Sequence, residues 1–256
     1  MEHSEVLQDG PLRRVERFGN AVHRPAMPWT VTIHRLLDHL RSVGFDLAPR
    51  PLGFDGLGRE VLTFIDGESG PAGWAKVTGD RGLTTFAHVL RDYHQAVAEF
   101  RPPPGSAWAD GTGTTGEGET VCHGDFGPWN LVWRGDRPVG LIDWDYAGPA
   151  PAIRDLAWAL QFVAPFRDDA ECLRWLRYER APDRRRRIEL FCVAYGLDST
   201  DGIVDAVIQT QRAGIELVRR LAAQGRQPQA DWVANGVLDE LDRRLDWSVA
   251  NRSLFE

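Results

Sequence analysis

One lysine, Lys76, is all that this 256-residue sequence contains, so arginine carries nearly all of its positive charge. Cysteine is almost as scarce. Cys122, Cys172 and Cys192 are odd in number and far apart, which excludes a disulfide framework and predicts three buried thiols in a reducing, cytoplasmic setting. Cys122 stands beside His123, but no C-x2-C or H-x3-H partner accompanies it, which argues against a zinc site. No run approaches eighteen apolar residues, so no membrane-spanning helix is expected. Met1 to Gly10 is polar and lacks the apolar core of a secretion signal. Positive charge is in deficit overall: the net charge is −7. That balance argues against nucleic acid or an anionic membrane as partner and is compatible with a cationic substrate.

Apolar residues are plentiful, at 43%, and ten tryptophans are many for this length. A substantial core follows, in one domain or two closely packed lobes. The most informative stretch is Val121-Cys122-His123-Gly124-Asp125-Phe126-Gly127-Pro128-Trp129-Asn130. It places Asp125 and Asn130 five positions apart on a loop bent by glycine and proline. Leu131-Val132-Trp133 and Pro138 to Ile142 are apolar runs around Arg134-Gly135-Asp136-Arg137, a hairpin signal. Such a hairpin returns Asp143, after its second strand, to the side of Asn130, before its first. An acceptor carboxylate with an amide and a second carboxylate nearby suits phosphoryl transfer, which needs a group to orient a hydroxyl and hard oxygen ligands for Mg²⁺. The extra His and Asp ligands of a two-metal hydrolase are missing.

His123-Gly124-Asp125 with Asn130, then Ile142-Asp143-Trp144, then Asp155-Leu156-Ala157, resembles the aminoglycoside phosphotransferase and choline kinase-like family. The resemblance is specific over Val121 to Leu160. It implies an α+β, bilobal, protein-kinase-like fold with a small β-rich N-lobe over 1–68 and a larger, mainly helical C-lobe over 69–256. It also implies a hinge near 65–68, a catalytic loop at 121–130 and a metal-binding segment at 141–145. Carried over residue by residue, Asp125 matches the catalytic base, Asn130 and Asp143 match the magnesium ligands, and Asp155 matches an acidic residue bracing the catalytic loop, beside His123. ATP or GTP is the implied phosphoryl donor and a small molecule the acceptor, with the chain acting as a monomer or homodimer. Ile65, at the hinge, falls where the adenine of this family normally sits.

The N-terminal part fits in order but departs in detail. Arg13–Phe18 and Ala21–Arg24 read as a hairpin, and Thr30 to Val43 as a helix with Thr30 as N-cap and Gly44 at its end. Pro51–Asp55 and Arg59–Ile65 read as a second hairpin. A family member carries a strand lysine held by a glutamate on the next helix; here Arg24 occupies the strand position, with His23 as runner-up, and the helix offers Ile33, His34 and Asp38 but no glutamate. Arginine grips phosphate bidentately, so the exchange is chemically sound though not equivalent. No glycine-rich phosphate loop precedes Ala21. The run Gly111 to Glu119 lacks Gly-Lys-Ser/Thr and reads as a flexible loop.

Leu83 to Phe100 reads as a strong helix, with His94 at the edge of its apolar face. Helices are also expected at Leu156–Val163, Arg184–Tyr195, Ile203–Ala223 and Trp232–Trp247, the four arginines opening the second of these being taken as a solvated first turn. The helical half is where the family builds its acceptor pocket, and Trp129, Asp145, Tyr146 and Asp168 are the residues expected to face it. Two functions remain. One is an antibiotic-resistance-type kinase acting on an aminoglycoside or other antibiotic, an amino alcohol or a nucleoside-like compound. The other is a non-catalytic immunity or resistance protein that binds a ligand with a degenerate nucleotide site.

Overall fold

Two antiparallel hairpins start the fold, and the sequence explains each: turn-forming Gly19-Asn20 and Gly56-Leu57-Gly58 separate short β-rich runs. In the computed structural model, which describes residues 4–10 and 13–256, strands β1 (Ser4–Gly10), β2 (Arg13–Phe18), β3 (Ala21–Arg24), β4 (Pro51–Phe54) and β5 (Glu60–Thr63) form one sheet in the order β1-β2-β3-β5-β4. β1 was not foreseen; residues 1–3, part of the polar stretch read above as lacking a secretion signal, lie outside the described residues. Between the hairpins runs α1 (Thr30–Ser42), whose Ile33, Leu36, Leu37 and Leu40 are buried on one face. Thr30 is not its N-cap. Trp29 holds that position, and the Thr30 hydroxyl accepts from the Met27 N–H at 2.8 Å instead.

The chain divides into two compact units, one made of Met1–Gly73 with Val89–Ala152, the other of Trp74–His88 with Ile153–Glu256. The segment 65–68 therefore lies inside the first unit. Short α2 (Gly73–Lys76) and long α3 (Asp80–Val97) carry the chain from one to the other and back.

In the first unit, β6 (Ala107–Trp108) and β7 (Gly111–Thr112) form a small ribbon at the start of the glycine-rich run, whose loop is closed by the Glu119 carboxylate accepting from the Gly116 N–H at 2.8 Å. Next come β8 (Thr120–Cys122), β9 (Leu131–Arg134), β10 (Arg137–Leu141) and β11 (Gly148–Ala150). β9 and β10 form the expected hairpin, and β11 returns antiparallel to β8. Segment 65–68 is clamped to β9 by a reciprocal backbone pair between Glu68 and Trp133, 2.8 Å in each direction. Gly67 lets the backbones approach so closely: a Cβ there would sit 2.6 Å from the Trp133 carbonyl oxygen.

The second unit is helical: α4 (Ile153–Val163), α5 (Asp169–Trp175), α6 (Arg184–Tyr195), α7 (Ile203–Ala223), α8 (Gln229–Ala234) and α9 (Val237–Ala250). Two expectations are corrected here. The predicted Trp232–Trp247 helix is broken at Asn235-Gly236, where Gly236 adopts φ +80° and separates α8 from α9. The arginine run is not uniformly solvated. Arg185 and Arg186 are exposed, but Arg184 and Arg187 are only 4% exposed and give their guanidinium hydrogens to backbone carbonyls. No described helix is long and apolar enough to cross a membrane.

Candidate active site

The loop after β8 is fixed before any functional atom is considered. His123 is fully buried; its Nε2–H donates to the Ile142 carbonyl at 3.2 Å, and its Nδ1 accepts from the Asp125 N–H at 3.3 Å. One imidazole tautomer satisfies both bonds, so His123 ties the loop to the end of β10. Its ring rests on Trp144, centroids 4.6 Å apart, and the Tyr93 hydroxyl holds the Val121 carbonyl at 2.7 Å. Gly124, at φ +80°, lets the loop touch the turn at Trp144–Tyr146: a Cβ there would lie 2.0 Å from the Tyr146 carbonyl oxygen. A left-handed residue in such a close approach has to be glycine.

Asn130 folds back onto Asp125. Its amide nitrogen donates both to the Asp125 carbonyl and to Asp125 Oδ2, each at 2.8 Å. Trp129 Nε1–H donates to the same carboxylate oxygen at 3.3 Å. Because the amide nitrogen is committed to Asp125, the Asn130 carbonyl oxygen is the atom left for a cation. The Asn130 backbone oxygen meanwhile accepts from Ile142 at 2.9 Å, which brings Asp143 in beside it through the β9–β10 hairpin. Asp143 itself is left-handed, φ +64°. A non-glycine residue held there is strained, and such strain collects at functional positions. An amide carbonyl and a carboxylate form an all-oxygen donor set that suits a hard divalent cation.

Arg24 joins this group from the sheet. It is 7% exposed; its Nη2 lies 3.0 Å from Asp145 Oδ1, its Nη1 3.7 Å from Asp143 Oδ1, and its Nε–H donates to Glu60 Oε2. Burial works to lower the Arg24 pKa, but Asp145 first, then Glu60 and Asp143, outweigh it and hold the guanidinium charged. Glu60 is 1% exposed, and the other oxygen of its carboxylate accepts from His34 Nε2–H on α1 at 3.0 Å. Burial pushes Glu60 upward, yet His34 and then Arg24 more than offset it and keep the carboxyl below its ordinary range.

Sequence reasoning missed Glu60 because it looked for an acid on the helix. The available signal was a charged residue inside the apolar strand Glu60-Val61-Leu62-Thr63, directly opposite Arg24 in the β3–β5 register.

The remaining expected residues are placed as follows. His23 points away from Arg24, as alternation along a strand requires; its Nδ1 pairs with Asp55 Oδ2 at 2.9 Å and its ring sits edge-on to Phe18. Ile65 packs at Gly140, where an added Cβ would come within 2.7 Å of it. Asp145, expected to face an acceptor, is turned to Arg24. Asp168, also expected there, caps α5, accepting from the Glu171 N–H at 2.8 Å. Trp129 leans on Asp125 and Gly127. Tyr146 is 41% exposed at the turn that Gly124 touches. Asp155 belongs to the second unit, fully buried in the first turn of α4.

Known proteins resemble this chain in sequence and in fold. The sequence pattern of the phosphotransferase enzyme family matches residues 106–190. Over 215 residues the chain is 40% identical to the trifolitoxin immunity protein of Rhizobium leguminosarum bv. trifolii, covering 81% of this chain and 80% of that one. Among solved structures, aminoglycoside 2'-phosphotransferase-IIIa with GDP superimposes with a TM-score of 0.62 at 13% identity, over 98% of this chain and 93% of the other. Amicoumacin kinase, solved with AMP-PNP, Ca²⁺ and its antibiotic, gives 0.63 at 12% identity, over 97% and 88%. At those identities the structures establish the fold: α+β and kinase-like, with a β-rich N-terminal sheet and a mainly helical C-terminal part.

Proposed function

The chain belongs to the phosphotransferase enzyme family that includes the aminoglycoside and choline kinase-like proteins, and on that premise we propose that it transfers the γ-phosphoryl group of ATP or GTP to a hydroxyl of a small molecule. The observation that carries this reading is the Asp125–Asn130 pair, held at 2.8 Å on a loop whose backbone is locked from both sides. In the proposal, Asp125 accepts the hydroxyl proton and orients the oxygen for in-line attack. Asn130 takes up one of Asp125's two carboxylate oxygens, which limits how that carboxylate turns. Asn130 and Asp143 hold Mg²⁺ through their side-chain oxygens, and Arg24 meets the nucleotide phosphates through the Nη edge that now faces Asp143 and Asp145. A bound divalent cation supplies charge neutralisation at the phosphates; positioning is left to the protein. Ile65 and the clamped segment 65–68 form the place for the base.

The acceptor class favoured is an antibiotic-like small molecule. Two structural relatives are named for phosphorylating aminoglycosides or amicoumacin, and the 40% identical relative is named for immunity to a toxin. Asp125→Ala is expected to lower turnover on the true acceptor by roughly 10²–10⁴-fold while Mg·nucleotide binding persists. Nucleotide consumption against an acceptor panel that includes toxins and aminoglycosides measures this. Equal rates for the two proteins would end the assignment.

A second reading, immunity by binding without turnover, is favoured by the relative's name and by Arg24 standing among three carboxylates rather than in a lysine–glutamate pair. Protection of cells by the Asp125→Ala variant as fully as by wild type would select it.

A further inference from the structure

We propose that Glu60 is the positioning residue for Arg24: from a strand, it fixes the guanidinium so that its Nη edge is presented to the nucleotide phosphates. The inference deepens the phosphotransferase reading and rests on it.

The geometry has three parts. First, Arg24 and Glu60 are cross-strand partners in β3 and β5, the pairing in which side chains on one face of a sheet meet most closely. Second, the contacts divide the guanidinium. Its Nε edge is bound to Glu60, whereas Nη1 and Nη2 face Asp143 and Asp145 on the segment that bears the proposed metal ligand. A planar guanidinium carries donors on two fixed edges, so one edge can be anchored while the other reads a ligand. Third, Glu60 is itself held in place. Its second oxygen is taken by His34, the side chain that α1 supplies where an acidic residue was sought, and the carboxylate is 1% exposed. A carboxylate tied to α1 through His34 at that depth has little freedom to follow Arg24, so Arg24 is the partner that is oriented. Without Glu60, the guanidinium is free to turn all its donors onto Asp143 and Asp145 and compete with a metal for them.

The test is calorimetric titration of Mg·ATP and Mg·GTP into the full chain as wild type, Arg24→Gln, Glu60→Gln and the double variant, with a melting scan of each. Glu60→Gln is expected to weaken the better nucleotide at least tenfold, the scale of one charge-assisted hydrogen bond. The double variant is expected to bind within about twofold of Arg24→Gln alone, because Glu60 acts only through Arg24. Wild-type affinity in a folded Glu60→Gln protein, or losses that add in full, overturns the positioning role. If Glu60→Gln does not fold, the comparison of Arg24→Gln with the double variant decides alone: equal affinity supports the role and a further loss overturns it. A wild-type protein that binds neither nucleotide sinks the phosphotransferase reading, and this inference with it; a wild type that binds beside an unaffected Glu60→Gln sinks the inference only.

Discussion

At position 60 a carboxylate is almost wholly removed from water, which is tolerated because Arg24 and His34 each give it a hydrogen bond. The same accounting applies to Arg24, whose charge is matched by Glu60, Asp145 and Asp143. On the proposed reading, in which Asp143 is a metal ligand, Arg24 competes with the metal for it. In nucleotide-free protein, Arg24→Gln is expected to raise Mn²⁺ affinity about tenfold, since a unit positive charge a few ångströms from the ligand is removed. The same variant weakens Mg·nucleotide. Equilibrium dialysis with Mn²⁺ checks the first outcome, and unchanged Mn²⁺ binding would show that the Arg24–Asp143 contact has no energetic weight. The sequence displayed Asp125, Asn130 and Asp143 because their spacing along one loop and hairpin is local. It hid Glu60 because its partner lies 36 positions away, across a strand pair.

Among the elements, α6 shows how far composition misleads. Four consecutive arginines look like a solvated turn, yet helical periodicity places positions 184 and 187 on one face, and that face is buried. Arg187 donates to the carbonyls of Val163, Thr78 and Val77, each at 2.6 Å. Arg187→Met is expected to cost about 3 kcal/mol, leaving those carbonyls without their donor. Arg185→Ala, an exposed change that loses only an i,i+4 pair with Glu189, stays within about 0.5 kcal/mol. Denaturant titration of the two variants compares them directly; similar midpoints would restore the solvated-turn reading. The loop after β8 gives a second case. Gly124→Ala combines left-handed strain with a Cβ driven onto the Tyr146 carbonyl, so a loss of about 3 kcal/mol is expected together with loss of activity.

For the whole molecule, several carboxylates sit below their ordinary range. Asp55 is lowered chiefly by His23, and Glu60 by His34 and Arg24 against the opposing effect of burial. A carboxyl with a depressed pKa holds its proton less well folded than unfolded. Its stabilisation is therefore complete above the unfolded values, 3.8 for Asp and 4.5 for Glu, and is withdrawn as pH falls through the lower folded ones. Thermal unfolding should thus be insensitive to these two groups from pH 6 to 8 and fall steeply below about pH 4, with Glu60→Gln flattening part of that decline. A melting temperature that rises on acidification would contradict the sign. By itself the sequence determined the hairpins, most of the helices, the loop that carries Asp125 and Asn130 and the return of Asp143 toward it, because periodicity, turn chemistry and short-range spacing are written along the chain. Only the tertiary structure decided which arginines are buried, that α8 and α9 are separate, that Asp145 serves Arg24, and that the acid beside Arg24 comes from β5. Those outcomes depend on strand register and on which faces meet, and neither is carried by any local run of residues.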